Sequence, residues 1–152
     1  MNRFAVLALM SLLLAGCPAN LLVRVPGHLY PVAGPLSAQA PLPGYRVIIS
    51  GAGDSGSISV TLQDGAARTG RWARLQPDDP SANALSGAWD RLYGAGYFVA
   101  HLLGNRGVYR AVLTGNAGTT LTVDFYDLDA ARMDRVKGVA MDNNGNVFKL
   151  TF

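Results

Sequence analysis

The sequence predicts one mainly-β domain, an antiparallel meander of about eight strands forming a small barrel or sandwich, with one short helix in a loop. Three observations carry this. The chain has 152 residues, 49% apolar and only 15% charged, enough for one buried core. Its 18 Gly and 8 Pro divide it into short runs separated by turn signals. All its acids are Asp and only Lys137 and Lys149 are lysines, so the residues that usually clothe helix surfaces are missing.

The elements follow in order. Residues 45–50 form one apolar run, and residues 57–62 alternate strictly, with Ile58, Val60 and Leu62 on one face. Asp64-Gly65 is a hairpin signal before a returning run over 67–75 that carries Trp72. Between Pro77 and Gly94, Ala84, Leu85, Ala88, Trp89 and Leu92 recur at helical spacing. This predicts a loop with a short helix covering one end of the sheet. Residues 96–103 and 108–113 read as a strand pair joined by Gly104-Asn105-Arg106-Gly107. Gly115-Asn116-Ala117-Gly118 leads into a strand over 119–126, and two closing strands, 133–141 and 146–152, flank Asp142-Asn143-Asn144-Gly145.

The domain is preceded by a leader. Asn2-Arg3 is a short basic start, and residues 4–14 are an apolar stretch too short to span a bilayer as a permanent helix. It runs into Leu14-Ala15-Gly16-Cys17, which resembles the lipobox of bacterial lipoproteins. The resemblance implies cleavage between Gly16 and Cys17, with acyl chains on Cys17 as the membrane anchor. Pro18, rather than Asp, follows the cysteine, which favours the outer membrane, with the domain facing the periplasm. Cys17 is the one cysteine, so an intramolecular disulfide is impossible. The expected divisions are a signal peptide over 1–16, a lipidated Cys and Pro-rich tether or strap over 17–44, and the β domain over 45–152. Within the strap, Leu29-Tyr30-Pro31-Val32 is expected to pack on the domain.

Several chemical signatures fail on context. Gly51, Gly53 and Gly56 spell G-x-G-x-x-G after an apolar run, but a dinucleotide loop must open a helix and a period-two strand follows instead. Gly53-Asp54-Ser55-Gly56 resembles the segment around the nucleophile of trypsin-like serine proteases, yet the one upstream histidine is His28, in the Pro-rich segment. A turn between two strands is the reading retained. Asp142, Asn144 and Asn146 alternate like the first ligands of a calcium loop, but the chain ends at Phe152, before a twelfth-position acid. His101 lies among apolar residues, and Asp124 and Asp127 read as solvated strand-end residues. No catalytic residue, metal or cofactor is expected. The bases are scattered and the net charge is only +3, so no nucleic-acid binding is expected either. The final 147–152 run resembles the closing strand of outer-membrane barrels, but the strands are too short for a lipid-facing band.

Three stretches, 55–65 with Gly70-Arg71-Trp72, 113–121 and 142–150, resemble a group of small uncharacterised bacterial lipoproteins. That resemblance implies the β fold and the envelope compartment and brings no catalytic residues. The expected function is a membrane-anchored envelope lipoprotein acting as a non-catalytic binding or structural module. Two alternatives are an inhibitor of an envelope hydrolase that plugs its target with the 77–94 loop, and an Asp/His-based hydrolase joining Asp124 or Asp127 to His101. Aromatic and Arg side chains anchor many interfaces, and packing is expected to claim Trp89 and Phe98. Arg91, Tyr93, Tyr97 and His101 are therefore the expected surface for an envelope-protein or cell-wall partner.

Overall fold

The computed structural model describes residues 23–62, 66–105, 107–115, 118–126, 128 and 135–152. The leader, the Gly16–Cys17 cleavage site, Asp64-Gly65, Arg106, Asn116-Ala117 and Asp127 lie outside the described residues.

Eight antiparallel strands follow one another around a closed barrel. They are β1 (Val23–Ala33), β2 (Tyr45–Ala52), β3 (Ser55–Thr61), β4 (Ala67–Arg74), β5 (Val108–Thr114), β6 (Thr120–Tyr126), β7 (Lys137–Asp142) and β8 (Val147–Thr151). The expected meander is present, and it closes because β1 pairs with β8 as well as with β2. Alternation decides which side chains enter. Val47 and Ile49 of β2, Ile58 and Val60 of β3, Leu121, Val123 and Phe125 of β6, and Phe148 and Leu150 of β8 are all buried in one core. Across the barrel, Trp72 meets Tyr109 and Phe125 edge-on, at ring separations of 5.3 and 5.6 Å. These three rings fill one half of the interior.

The glycine motif is a hairpin. β2 and β3 are joined through Gly53 and Asp54, with Gly53 at φ +62°. Gly51 and Gly56 face each other across the pair. A side-chain carbon on Gly51 would fall 2.5 Å from the Trp72 ring, and one on Gly56 would fall 2.6 Å from its Nε1. The two glycines form a notch for the indole, whose N–H donates to the Ser50 carbonyl at 3.1 Å.

Two expectations are corrected. Residues 96–103 are not a strand: they hold a five-residue helix, α2 (Tyr97–His101), directly after α1 (Ser86–Tyr93). Gly94 and Gly96 turn the chain through positive φ. Phe98 and Leu102, four apart, are then buried against α1 while Val99 and Leu103 remain exposed. The eighth strand comes instead from residues 23–33, inside the segment read as tether and strap. Its prolines occupy tolerated places: Pro26 stands where β1 pairs with β2 alone, and Pro31 adjoins a register shift against β8. Of the strap, a 3₁₀ turn over Pro35–Ala38 remains, and Leu36 packs against the core.

The helical excursion does not cover the barrel's end. On β5 to β8 the inward residues include Tyr109, Phe125, Ala140 and Phe148, yet the outward Val108, Asp124, Val139 and Val147 are also buried. Val108, Val139 and Val147 pack with Leu85, Ala88, Trp89, Phe98 and Leu102 in a second cluster. The helices therefore lie on the outer wall, as a second layer over these strands.

Candidate functional site

The half of the barrel away from the Trp72 cluster is open. A pocket of about 490 Å³ enters there, lined by Leu29, Leu36, Tyr45, Val60, Leu62, Leu121 and Phe148, with Arg68, Asp142, Asn144 and Asn146 at its edge. Strand ends supply most of this lining, and the 3₁₀ turn supplies Pro35 and Leu36.

One buried polar side chain fixes that turn in place. Asn146, 3% exposed, accepts the Leu36 N–H through Oδ1 at 2.8 Å and donates through Nδ2 to Asp142 Oδ2 at 2.8 Å. Asp142 Oδ1 in turn accepts the backbone N–H groups of Asn144 and Asn146 at 3.0 and 2.8 Å. The Asp-x-Asn-x-Asn spacing is thus a turn, as expected, and it also ties the strap to the β7–β8 hairpin. Gly34 makes the approach possible, because a side-chain carbon there would lie 2.7 Å from the Asn146 Cα.

Electrostatics at the mouth are mixed. Tyr45 has its phenol pKa raised, first by burial and then by the Asp142 carboxylate, while Arg68 opposes the shift. Arg68, half-buried on the inner face of β4 and paired in register with Val60, makes no hydrogen bond or ion pair among the described residues. The mouth therefore offers an apolar wall beside a cationic rim, whereas the Asp142 carboxylate is occupied by three donors.

The expected partner surface is assembled in part. Tyr93, Tyr97 and His101 stack on one another and on Trp89, with ring separations of 5.0 Å for Tyr93–Tyr97, 4.5 Å for Tyr97–His101 and 5.3 Å for Trp89–Tyr93. Arg91 is exposed in the last turn of α1 and takes no part in the stack. Its place is taken by Lys137 of β7, which lies 5.5 and 5.1 Å from the Tyr93 and Tyr97 ring centres and donates to the Tyr97 hydroxyl at 3.0 Å. Burial raises the Tyr93 phenol pKa, and its hydroxyl donates to the Gly138 carbonyl at 3.4 Å.

Asp124 is not a solvated strand-end residue. It is fully buried on the outer face of β6 and forms a two-point ion pair with Arg110 of β5, its register partner, at 2.6 Å from Nε and 2.7 Å from Nη2. The spare Arg110 donors hold the Ser81 and Ala82 carbonyls and the Ser81 hydroxyl, pinning the 77–94 segment to the wall. Burial raises the Asp124 pKa, and Arg110 pulls it back. The Trp89 indole N–H also favours the charged form, although it stands outside regular hydrogen-bond geometry. No hydrogen bond or ion pair joins Asp124 to His101 among the described residues, and no group of three or more His, Cys, Asp or Glu residues there is arranged to hold a metal ion.

The residues of the mouth were not picked out as a site from sequence. Arg68 is one of the scattered bases, and Asn146 belongs to the Asp-x-Asn-x-Asn run read as a turn. What unites them is the closure of β1 on β8, a contact between residues more than a hundred positions apart. No family model, curated protein or solved structure matches the chain.

Proposed function

We propose that the chain is a lipid-anchored protein of the bacterial cell envelope whose barrel acts as a non-catalytic binding module, receiving a small amphipathic ligand at its open mouth. The observation that carries the binding reading is the pocket of about 490 Å³ between the packed aromatic half of the barrel and the 3₁₀ strap. Its volume falls in the range of small-molecule sites, which are apolar with a few placed polar groups. The Arg68 guanidinium, which makes no hydrogen bond or ion pair among the described residues, favours a ligand with an anionic head. The compartment rests on the lipobox resemblance at Cys17, with the outer membrane and a periplasmic orientation favoured by Pro18.

Two experiments test the two halves of this reading. The fluorescent probe anilinonaphthalene sulfonate has an apolar body and an anionic head, and should bind the folded chain with saturable emission. Leu62→Trp narrows the mouth at a half-buried position and should weaken that binding about tenfold while the melting temperature stays nearly constant. Equal binding by the variant would remove the pocket from the proposal. Separately, Cys17→Ala should abolish incorporation of labelled fatty acid and leave an unprocessed or released precursor. Normal processing and membrane fractionation of that variant would remove the anchor.

The aromatic stack supports a second reading, a surface for an envelope-protein or cell-wall partner. Tyr97 and His101 form one side of that surface, and Val99 and Leu103 are exposed on another face of the same helical segment. Plugging of a hydrolase by the 77–94 loop is less favoured, because Arg110 fastens that loop to the wall. A hydrolase reading would need an Asp124 that Arg110 has left free.

A further inference from the structure

The outer faces of β1 to β4 and β8 carry charge of one sign. Register places Arg24, Ser50, Ser57 and Arg71 in one row across four strands, and Thr151, His28, Arg46 and Thr61 in a second. Lys149 stands beside Tyr30 one step further along. Arg24, His28, Arg46, Arg71 and Lys149 are all exposed. None of these five strands contains an acid. The described acids lie instead in turns, in the 77–94 segment, or on β6 and β7. Pro26, Ile48 and Tyr30 add apolar surface between the cations.

Such a wall is costly for a barrel free in solution. Surfaces ordinarily intersperse the two signs, and here no ion pair involves any of these bases among the described residues. A counter-surface of negative charge would remove the repulsion. The position of β1 says which surface is near. Arg24 follows Cys17 by seven residues, so an extended tether can hold this end of the wall no more than about 25 Å from the anchor point.

We infer that the β1–β4 wall, extended by Lys149, lies against an anionic lipid bilayer, with Arg24, Arg46 and Arg71 facing phosphate headgroups and Tyr30 at the interface. This rests on the anchor proposed above. It orients the barrel with its axis along the membrane, leaving the mouth open to the side and the helical layer turned away, with the aromatic stack bordering the wall at Lys149. Electrostatic docking of this kind falls off within a Debye length of about 8 Å, so the tether keeps the wall close enough to reach the surface and the charges hold it there. Each base near such a surface strengthens attachment about fivefold.

The test separates the wall from the anchor. All eight strands lie between Val23 and Thr151, so a chain beginning at Pro18 keeps the whole closed barrel, and a single cooperative melt verifies it. Cosedimentation is measured with vesicles of phosphatidylcholine alone and with vesicles containing about 30% phosphatidylglycerol. Binding is expected to the anionic vesicles only and to fall with added salt. The triple variant Arg24→Gln/Arg46→Gln/Arg71→Gln should weaken it about a hundredfold, whereas Arg91→Gln, on the helical side, should change it less than twofold. Equal binding to both vesicle types, equal loss from Arg91→Gln, or equal affinity for soluble polyglutamate would overturn the inference. The mass of the Cys17 peptide from the full chain in cells reports the anchor independently, so failure of either part is recognisable alone.

Discussion

Replacing Arg110 by Met is expected to destabilise the domain by about 3–5 kcal/mol at neutral pH, because it strands a buried carboxylate. Asp124 is 0% exposed, and its two oxygens are bonded to Arg110 Nε and Nη2. The remaining helper, the Trp89 indole N–H, does not close into a regular hydrogen bond. The same substitution also releases the Ser81 and Ala82 carbonyls, so the helical layer should loosen with it. For a domain of this size the loss corresponds to a fall in melting temperature of about 10–20 °C.

The loss should depend on pH in a direction set by burial. Burial raises the folded-state Asp124 pKa above its unfolded value of 3.8, even with Arg110 opposing it. The favourable contribution of the protonated form is therefore full below that unfolded value and disappears as pH rises through the folded one. Removing Arg110 takes away the largest opposing influence and moves the folded value further up. Arg110→Met should consequently lie closest to the parent in acid and furthest from it at neutral pH, as measured by urea unfolding across that range. Arg110→Met/Asp124→Leu should recover most of the stability, since an apolar pair of similar volume leaves no charge to desolvate. A pH-independent loss, or no recovery in the double variant, would mean that the pair does not control the packing of this wall.

The pair also shows where the sequence stops being readable. Residues 120–126 display a clear strand, and the register with β5 matches the expected hairpin. A strand's alternation marks inside from outside, but it does not reveal that a second layer will cover the outside. Asp124 is outward by parity, so solvation was the natural expectation, and only the docking of α1 against Val139 makes it buried. The same blindness explains residues 96–103. An apolar run of that length suits a strand or a buried helix equally, and the choice was made by two positive-φ glycines and by the layer on which Phe98 packs. The count of eight strands nonetheless agreed, since residues 23–33 supplied β1 where proline density argued for a strap. The prolines were compatible with a strand because each sits where a ladder bond is not required. Of the expected surface, Tyr93, Tyr97 and His101 were visible as rings crowded where the 77–94 loop meets residues 96–103, although those residues read as a strand. Lys137, forty residues beyond Tyr97, had no local signal.

The glycine motif at 51–56 carries the other large effect. Trp72→Ala should cost about 3–5 kcal/mol, because the indole is 1% exposed and packs on both Tyr109 and Phe125. Gly56→Ala should cost about 3 kcal/mol for the complementary reason. The added carbon would stand 2.6 Å from Trp72 Nε1 and 2.7 Å from the Gly51 Cα, and would also press on the Ser50 carbonyl. Backbone cannot yield there without breaking the β2–β3 ladder. Gly53→Ala tests the alternative that turn conformation alone explains the motif. Gly53 has φ +62° but nothing within 4 Å of its missing side chain, so its replacement should cost only about 1 kcal/mol. Combining Gly56→Ala with Trp72→Ala should be less damaging than the sum of the two, since the indole clash is gone, yet the Ser50 contact should keep the double variant below Trp72→Ala. Urea midpoints for the four variants give the order directly. If Gly53→Ala proved as damaging as Gly56→Ala, the notch would not be the reason for these glycines, and turn geometry would account for the whole motif.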